Sequence, residues 1–136
     1  MDTTQLLVGD VMTIDPIVVG DDAPLEEAAR LLRVNSVSGL PVVDKRGSLV
    51  GVISQTDLIA IEEAPIGRLI RTEASGLRVG ELMTAPAITV PMTGSLGEAA
   101  RLMRERRVHR LVVLDDDGRP VGVLSASDFV ALFADD

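Results

Sequence analysis

Two stretches of the chain carry side chains able to hold a ligand by chemistry rather than by shape. Ser54, Thr56 and Asp57 stand in Gly51-Val52-Ile53-Ser54-Gln55-Thr56-Asp57-Leu58, and Ser125, Ser127 and Asp128 in Gly122-Val123-Leu124-Ser125-Ala126-Ser127-Asp128-Phe129. Each stretch puts hydroxyls and a carboxylate on the first turn of a helix that follows a buried strand. Free N–H groups and the positive end of the helix dipole favour phosphate there, and a nearby carboxylate accepts both hydroxyls of a ribose. Ser-x-x-Asp is equally a capping box, in which Ser54 accepts from the Asp57 amide and Asp57 reaches back. Both readings stay open, because duplication copies caps as readily as sites.

A second constellation is cationic. Arg101, Arg104, Arg106, Arg107 and Arg110 surround His109 in a chain whose formal charge is −8. Arg101 and Arg104 have counterparts in Arg30 and Arg33 and fit a solvated helix face, paired with Glu98 and Glu105 at helical spacing. His109 and Arg110 differ, since they stand at the entry to a buried strand where the first copy has Ser38 and Gly39. A cationic pair there suits a phosphate. The plainer alternative is an exposed histidine beside a surface arginine.

An internal repeat supplies the elements that position these residues. Residues 8–58 align without gaps with 79–129, matching at 23 of 51 positions. A unit of about 50 residues rarely buries a sufficient core alone, so the copies are expected to pack together about a pseudo-twofold axis. Val8–Met12 and Val79–Met83 read as short helical turns, followed by small strands at Ile17-Val18-Val19 and Ile88-Thr89-Val90. Leu25, Ala28, Ala29 and Leu32, and in the second copy Leu96, Ala99, Ala100 and Met103, fall at helical spacing. Ser95 with Glu98 signs the start of the second of these helices, and Pro24 that of the first. Apolar runs Leu40–Val43 and Leu49–Ile53 flank Asp44-Lys45-Arg46-Gly47, and Leu111–Leu114 and Val121–Leu124 flank Asp115-Asp116-Asp117-Gly118, as hairpins do. A last amphipathic helix begins near Ser54 and near Ser125. Each copy is thus β-α-β-β-α in an α/β (α+β) fold, with repeat 1 over 8–60, a linker over 61–77 and repeat 2 over 78–133.

Composition excludes several function classes. With 46% hydrophobic and 25% charged residues the 136-residue chain folds rather than staying disordered. No apolar run approaches the roughly 18 to 20 residues that cross a bilayer, and Met1-Asp2-Thr3-Thr4 has no basic, apolar leader, so a cytoplasmic location is expected. Zero cysteines and one histidine leave no thiolate or multi-histidine metal site, no cysteine nucleophile and no assembled nucleophile–base pair, and an enzyme is not expected. The negative charge and an aromatic complement of Phe129 and Phe133 alone argue against nucleic acid.

The repeats resemble a tandem pair of CBS (cystathionine β-synthase) domains, a Bateman module. The carriers are Asp10-Val11-Met12-Thr13, Leu25-Glu26-Glu27-Ala28, Val37-Ser38-Gly39-Leu40-Pro41-Val42-Val43-Asp44 and Gly51 to Asp57, with their second-copy partners. Val108 to Asp115, with Ser125 to Asp128, looks similar to the last repeat of the γ subunit of AMP-activated protein kinase. Val112, where the first copy has Pro41, departs from the pattern. The resemblance implies a regulatory module that requires no cofactor and binds an adenosine-containing ligand in two clefts, with AMP, ADP or ATP expected and S-adenosylmethionine, NAD and cyclic dinucleotides also within the family's range. One implied cleft combines Val52, Ser54, Thr56 and Asp57 with Thr84, Ile88, Val108, His109 and Arg110, the last two on the phosphates. The other combines Val123, Ser125, Ser127 and Asp128 with Thr13, Ile17, Val37 and Ser38. It also implies a homodimer or a regulated protein partner as readout. The alternative is a structural dimerisation or protein-interaction subunit whose pockets stay empty.

Overall fold

The computed structural model describes residues 6–14, 17–63 and 76–134. Of the expected linker, residues 64–75 lie outside the described residues. In chain order the elements are α1 (Val8–Val11), β1 (Thr13–Ile14), β2 (Val19–Gly20), α2 (Leu25–Val34), β3 (Gly39–Val43), β4 (Leu49–Ser54) and α3 (Gln55–Glu63). They continue with α4 (Val79–Leu82), β5 (Thr89–Pro91), α5 (Leu96–Arg106), β6 (Arg110–Leu114), β7 (Pro120–Ser125) and α6 (Ala126–Ala134). In each copy a parallel crossover, β2 to β3 or β5 to β6, precedes an antiparallel hairpin, as the hydrophobic pattern predicts.

The chain divides into two compact units that cut across the sequence repeat. One spans residues 17–87, and the other joins residues 1–16 to 88–136. In the first, β2, β3 and β4 form a sheet, and Thr84 extends it by an isolated bridge to Val52. In the second the order is β1-β7-β6-β5, with Thr13 of β1 opposite Val123. The opening segment of each repeat therefore closes the sheet built from the core of the other repeat. Backbone bonds fix the exchange: Val79 N–H donates to Ala23 O at 2.9 Å and Gly80 N–H to Asp21 O at 2.8 Å. In the other unit Val8 N–H donates to Gly94 O and Gly9 N–H to Met92 O, both at 2.9 Å.

Each unit has its own core. Val19, Leu25, Ala28, Leu32, Leu40, Val42, Ile53 and Val79 are buried together in one, and Val8, Val90, Leu96, Ala99, Met103, Leu111, Val113 and Leu124 in the other. Val79 and Val8, fully buried, arrive on the exchanged segments. A buried aliphatic side chain contributes about 1.5–3 kcal/mol, so these valines tie the segments down. Ser95 caps α5 by accepting from Glu98 N at 3.0 Å, as its spacing predicts.

Two expectations are corrected. Ile17 and Val18 do not join β2, and each is 37% exposed. For Val18 the cause is Pro41. In the second copy Val112 N–H donates to Ile88 O at 3.3 Å and β5 pairs over three residues. Proline at the matching position has no N–H to offer, so β2 pairs over two. The last helices are also less one-sided than an amphipathic pattern requires, with Ile59 54%, Val130 67% and Phe133 58% exposed.

Candidate functional site

Each unit gathers its hydroxyls and carboxylate where an inner strand runs into a helix. In residues 17–87, β4 ends at Ser54 and α3 begins at Gln55. Asp57 Oδ2 accepts from Ser54 N–H at 2.9 Å and from Ser54 Oγ–H at 3.1 Å, while Asp57 N–H donates to Ser54 Oγ at 3.2 Å. The capping box is closed. Asp57 Oδ1, its other oxygen, accepts from Thr84 Oγ1 at 3.1 Å. A carboxylate has about four lone-pair positions, so three donors leave one position on Oδ1 for a ligand.

The second unit repeats this arrangement with small differences. Asp128 Oδ2 accepts from Ser125 N–H at 2.8 Å and Oγ–H at 3.1 Å, and Asp128 N–H donates to Ser125 Oγ at 3.3 Å. Thr13 Oγ1 reaches Asp128 Oδ1 at 3.4 Å, a longer contact than the one at Asp57. Both carboxylates are half-buried, and the hydroxyl residues Thr56, Ser127, Thr13 and Thr84 are exposed.

Glycine is what lets the threonine segments come so close. A Cβ on Gly51 would stand 2.7 Å from Met83 Sδ and 2.8 Å from Thr84 O. On Gly122 it would stand 2.5 Å from Met12 Sδ and 2.7 Å from Thr13 O. The Met-Thr segment thus lies flat across the strand, and any side chain at the glycine would push the threonine off its carboxylate. Met12, Met83, Gly51 and Gly122 acquire this positioning role from the fold. The signal was present in the recurrence of Met-Thr and Gly-Val at one offset, but nothing in it says which pair meets.

The remaining candidates are placed as follows. Ile17, Val37, Ser38 and Val52 belong to the unit of Asp57, and Ile88, Val108, His109, Arg110 and Val123 to that of Asp128. Val52 and Val123 flank the glycines on the strands that carry the site, and both are half-buried. Ser38 O accepts from Gln55 N–H at 2.9 Å and His109 O from Ala126 N–H at 2.8 Å, so each backbone carbonyl takes the first N–H of the following helix. His109 and Arg110 are exposed. Val108 and His109 also edge a depression of about 480 Å³ on the helical side of their unit, between Met103, Arg104 and Arg107 of α5 and its C-cap and Ala126 and Phe129 of α6. Among the described residues no group of three or more His, Cys, Asp or Glu could hold a metal, and no helix is long and apolar enough to cross a membrane.

Comparison with known proteins identifies the family. The chain is 30% identical over 151 residues to MJ1426 of Methanocaldococcus jannaschii, covering 92% of this chain and 89% of that protein. It is 32% identical to an inosine-5′-monophosphate dehydrogenase of the same organism, where it spans 22% of that protein's length. Among solved structures, CBSX2 in complex with AMP superposes with a TM-score of 0.81 at 37% identity, covering 95% of this chain and 96% of that one. The CBS domain pair of MJ0100, in complex with 5′-methylthioadenosine and S-adenosyl-L-methionine, gives 0.75 at 28% identity, covering 96% and 97%. The CBS domain pattern itself matches residues 8–63 and 79–135. This chain belongs to the CBS-domain family and carries two CBS domains in tandem.

Proposed function

We propose that the chain is a regulatory module that binds an adenosine-containing ligand on Asp57 and Asp128. The observation that carries the reading is the division of labour on Asp57: Oδ2 caps the helix, and Oδ1, steadied by Thr84, keeps a lone pair for a ribose hydroxyl. Similar CBS pairs with AMP, or with 5′-methylthioadenosine and S-adenosyl-L-methionine, support the ligand class. In this reading Arg110 supplies positive charge and His109 a ring N–H donor to phosphates. The role is regulatory rather than catalytic, since similarity to the dehydrogenase extends over only 22% of that enzyme. Ligand that binds two packings of the chain with different affinity shifts their populations, and a homodimer or a protein partner reads the shift.

Isothermal titration with AMP and S-adenosylmethionine tests the reading. The wild-type chain is expected to take up at least one of them, and the Asp57→Asn, Asp128→Asn double variant to lose the signal while still melting cooperatively. Undiminished uptake by the double variant would contradict the role given to the carboxylates.

A second reading, an interaction subunit with empty pockets, is favoured by the closed caps and by the exposure of Val130 and Phe133. Under it, no adenosine ligand binds, and sedimentation shows self-association that Phe133→Ser weakens.

A further inference from the structure

The two carboxylates are held alike, but the hydroxyls one residue before them are not. Among the described residues, the bonds around Asp57 come from Ser54 and Thr84 and leave the Thr56 hydroxyl out. In the other unit Ser127 Oγ lies 2.8 Å from Ser125 Oγ. Ser125 has one hydroxyl proton, and its Oγ also stands 3.1 Å from Asp128 Oδ2. A bond to a charged acceptor outweighs one to a neutral hydroxyl. Ser125 therefore gives its proton to Asp128, and Ser127 gives its own to Ser125. The chain of dipoles from Ser127 through Ser125 to Asp128 reinforces itself, and it leaves Ser127 with only lone pairs to offer a ligand. Exposed Thr56 keeps its proton to donate.

We propose that the two half-sites differ in hydrogen-bonding polarity, Thr56 keeping a proton to donate beside Asp57 and Ser127 offering only lone pairs beside Asp128; the proposal rests on the adenosine reading above. The half-site of Asp57 then takes an anionic acceptor next to the ribose, such as the 5′-phosphate of AMP, more readily than that of Asp128 does. That of Asp128 selects a neutral donor at the same place, such as the 5′-hydroxyl of adenosine. To take a phosphate, Ser127 must turn its proton outward and give up its bond to Ser125. Ser127 and Thr56 are the specificity-determining residues.

Dissociation constants for AMP and adenosine are measured by titration on Asp128→Asn and on Asp57→Asn, each with one carboxylate left, and on the wild-type chain. The ratio of AMP to adenosine affinity is expected to be about tenfold higher when Asp57 is the carboxylate kept. Thr56→Val in the Asp128→Asn background lowers that ratio, and Ser127→Ala in the Asp57→Asn background raises it, closing the gap. Ser127→Ala and Thr56→Val in the otherwise wild-type chain, fitted to two sites, give the same comparison with both caps intact. Equal ratios, or ratios that neither hydroxyl change moves, would overturn the polarity assignment and leave adenosine binding standing. Absence of binding of either ligand to every protein, wild type included, would overturn the adenosine reading and this proposal with it.

Discussion

Thr84 Oγ1 donates to Asp57 Oδ1 at 3.1 Å across 27 residues of chain. The threonine is set there by its backbone: Val52 N–H donates to Thr84 O at 3.0 Å, and Thr84 N–H to Val52 O at 2.8 Å. A carboxylate engaged only in capping would need no partner on its second oxygen. The hydroxyl instead fixes the rotation of the carboxylate plane, which is what a ribose needs to meet a pre-set acceptor.

Thr84→Val keeps the shape of the side chain and removes the donor. Urea unfolding is expected to show a loss of about 1 kcal/mol. Thr13→Val should cost less, because its bond to Asp128 is 3.4 Å long. An equal cost for the two would show that the hydroxyls do not bear on the carboxylates.

The caps and the binding role can be separated by a control helix. Asp57→Asn and Asp128→Asn are each expected to lower stability by about 1 kcal/mol through the cap and to weaken AMP by tenfold or more at one half-site. Ser95→Ala removes the cap of α5, where Ser95 Oγ accepts from Glu98 N. It should cost a similar stability and leave ligand affinity unchanged. Affinity that falls equally in all three would tie binding to global stability alone.

Gly51→Ala and Gly122→Ala place a methyl against backbone oxygen at 2.8 and 2.7 Å. Overpacking of this kind costs about 1–3 kcal/mol, and ligand affinity should fall with it as the threonine moves. Gly97→Ala is the matched control, since a methyl there meets nothing within 4 Å inside α5. It should stabilise by about 0.4–1 kcal/mol. Chemical denaturation of the three variants decides between close approach and a general intolerance of alanine.

Much of the architecture was legible because both copies carry the same signals. Apolar spacing at Leu25–Leu32 and Leu96–Met103, the Asp-x-x-Gly turns and the cap at Ser95 depend on near neighbours alone. The exchange of opening segments was not legible from the repeat, because Val8 and Val79 are identical residues in matching contexts and either could fill either core. That Thr84 belongs with Asp57, and Thr13 with Asp128, followed from the family resemblance and not from spacing. The loss of Val18 from β2 was foreshadowed by Pro41, whose missing N–H matters only once β2 is known to be its neighbour. The hydroxyl difference between Thr56 and Ser127 lies in side-chain torsion, which no residue pattern encodes.

The proline effect has its own test. Val112→Pro removes the bond to Ile88 O, leaving a carbonyl short of a donor at an expected cost of about 1–3 kcal/mol. Hydrogen exchange should then quicken at the β5–β6 edge and stay unchanged around β3 and β4. Quickening across both units would show that the edge bond is not a local feature.

His109→Ala is expected to weaken ATP and ADP more than adenosine, and Arg110→Ala to do the same, if they act on phosphates. Competition titrations with the three ligands measure it. Equal weakening of all three would remove both residues from the phosphate role.

The melting temperature of the wild-type chain across a panel of adenosine ligands, with guanosine and cytidine nucleotides as controls, tests the central claim most directly. A ligand at about 100 times its dissociation constant adds about 2.7 kcal/mol per site, a rise of several degrees for a chain of this size. The account predicts such a rise with one or more adenosine ligands and none with the controls, abolished in the Asp57→Asn, Asp128→Asn double variant. No rise with any adenosine ligand at millimolar concentration would contradict it.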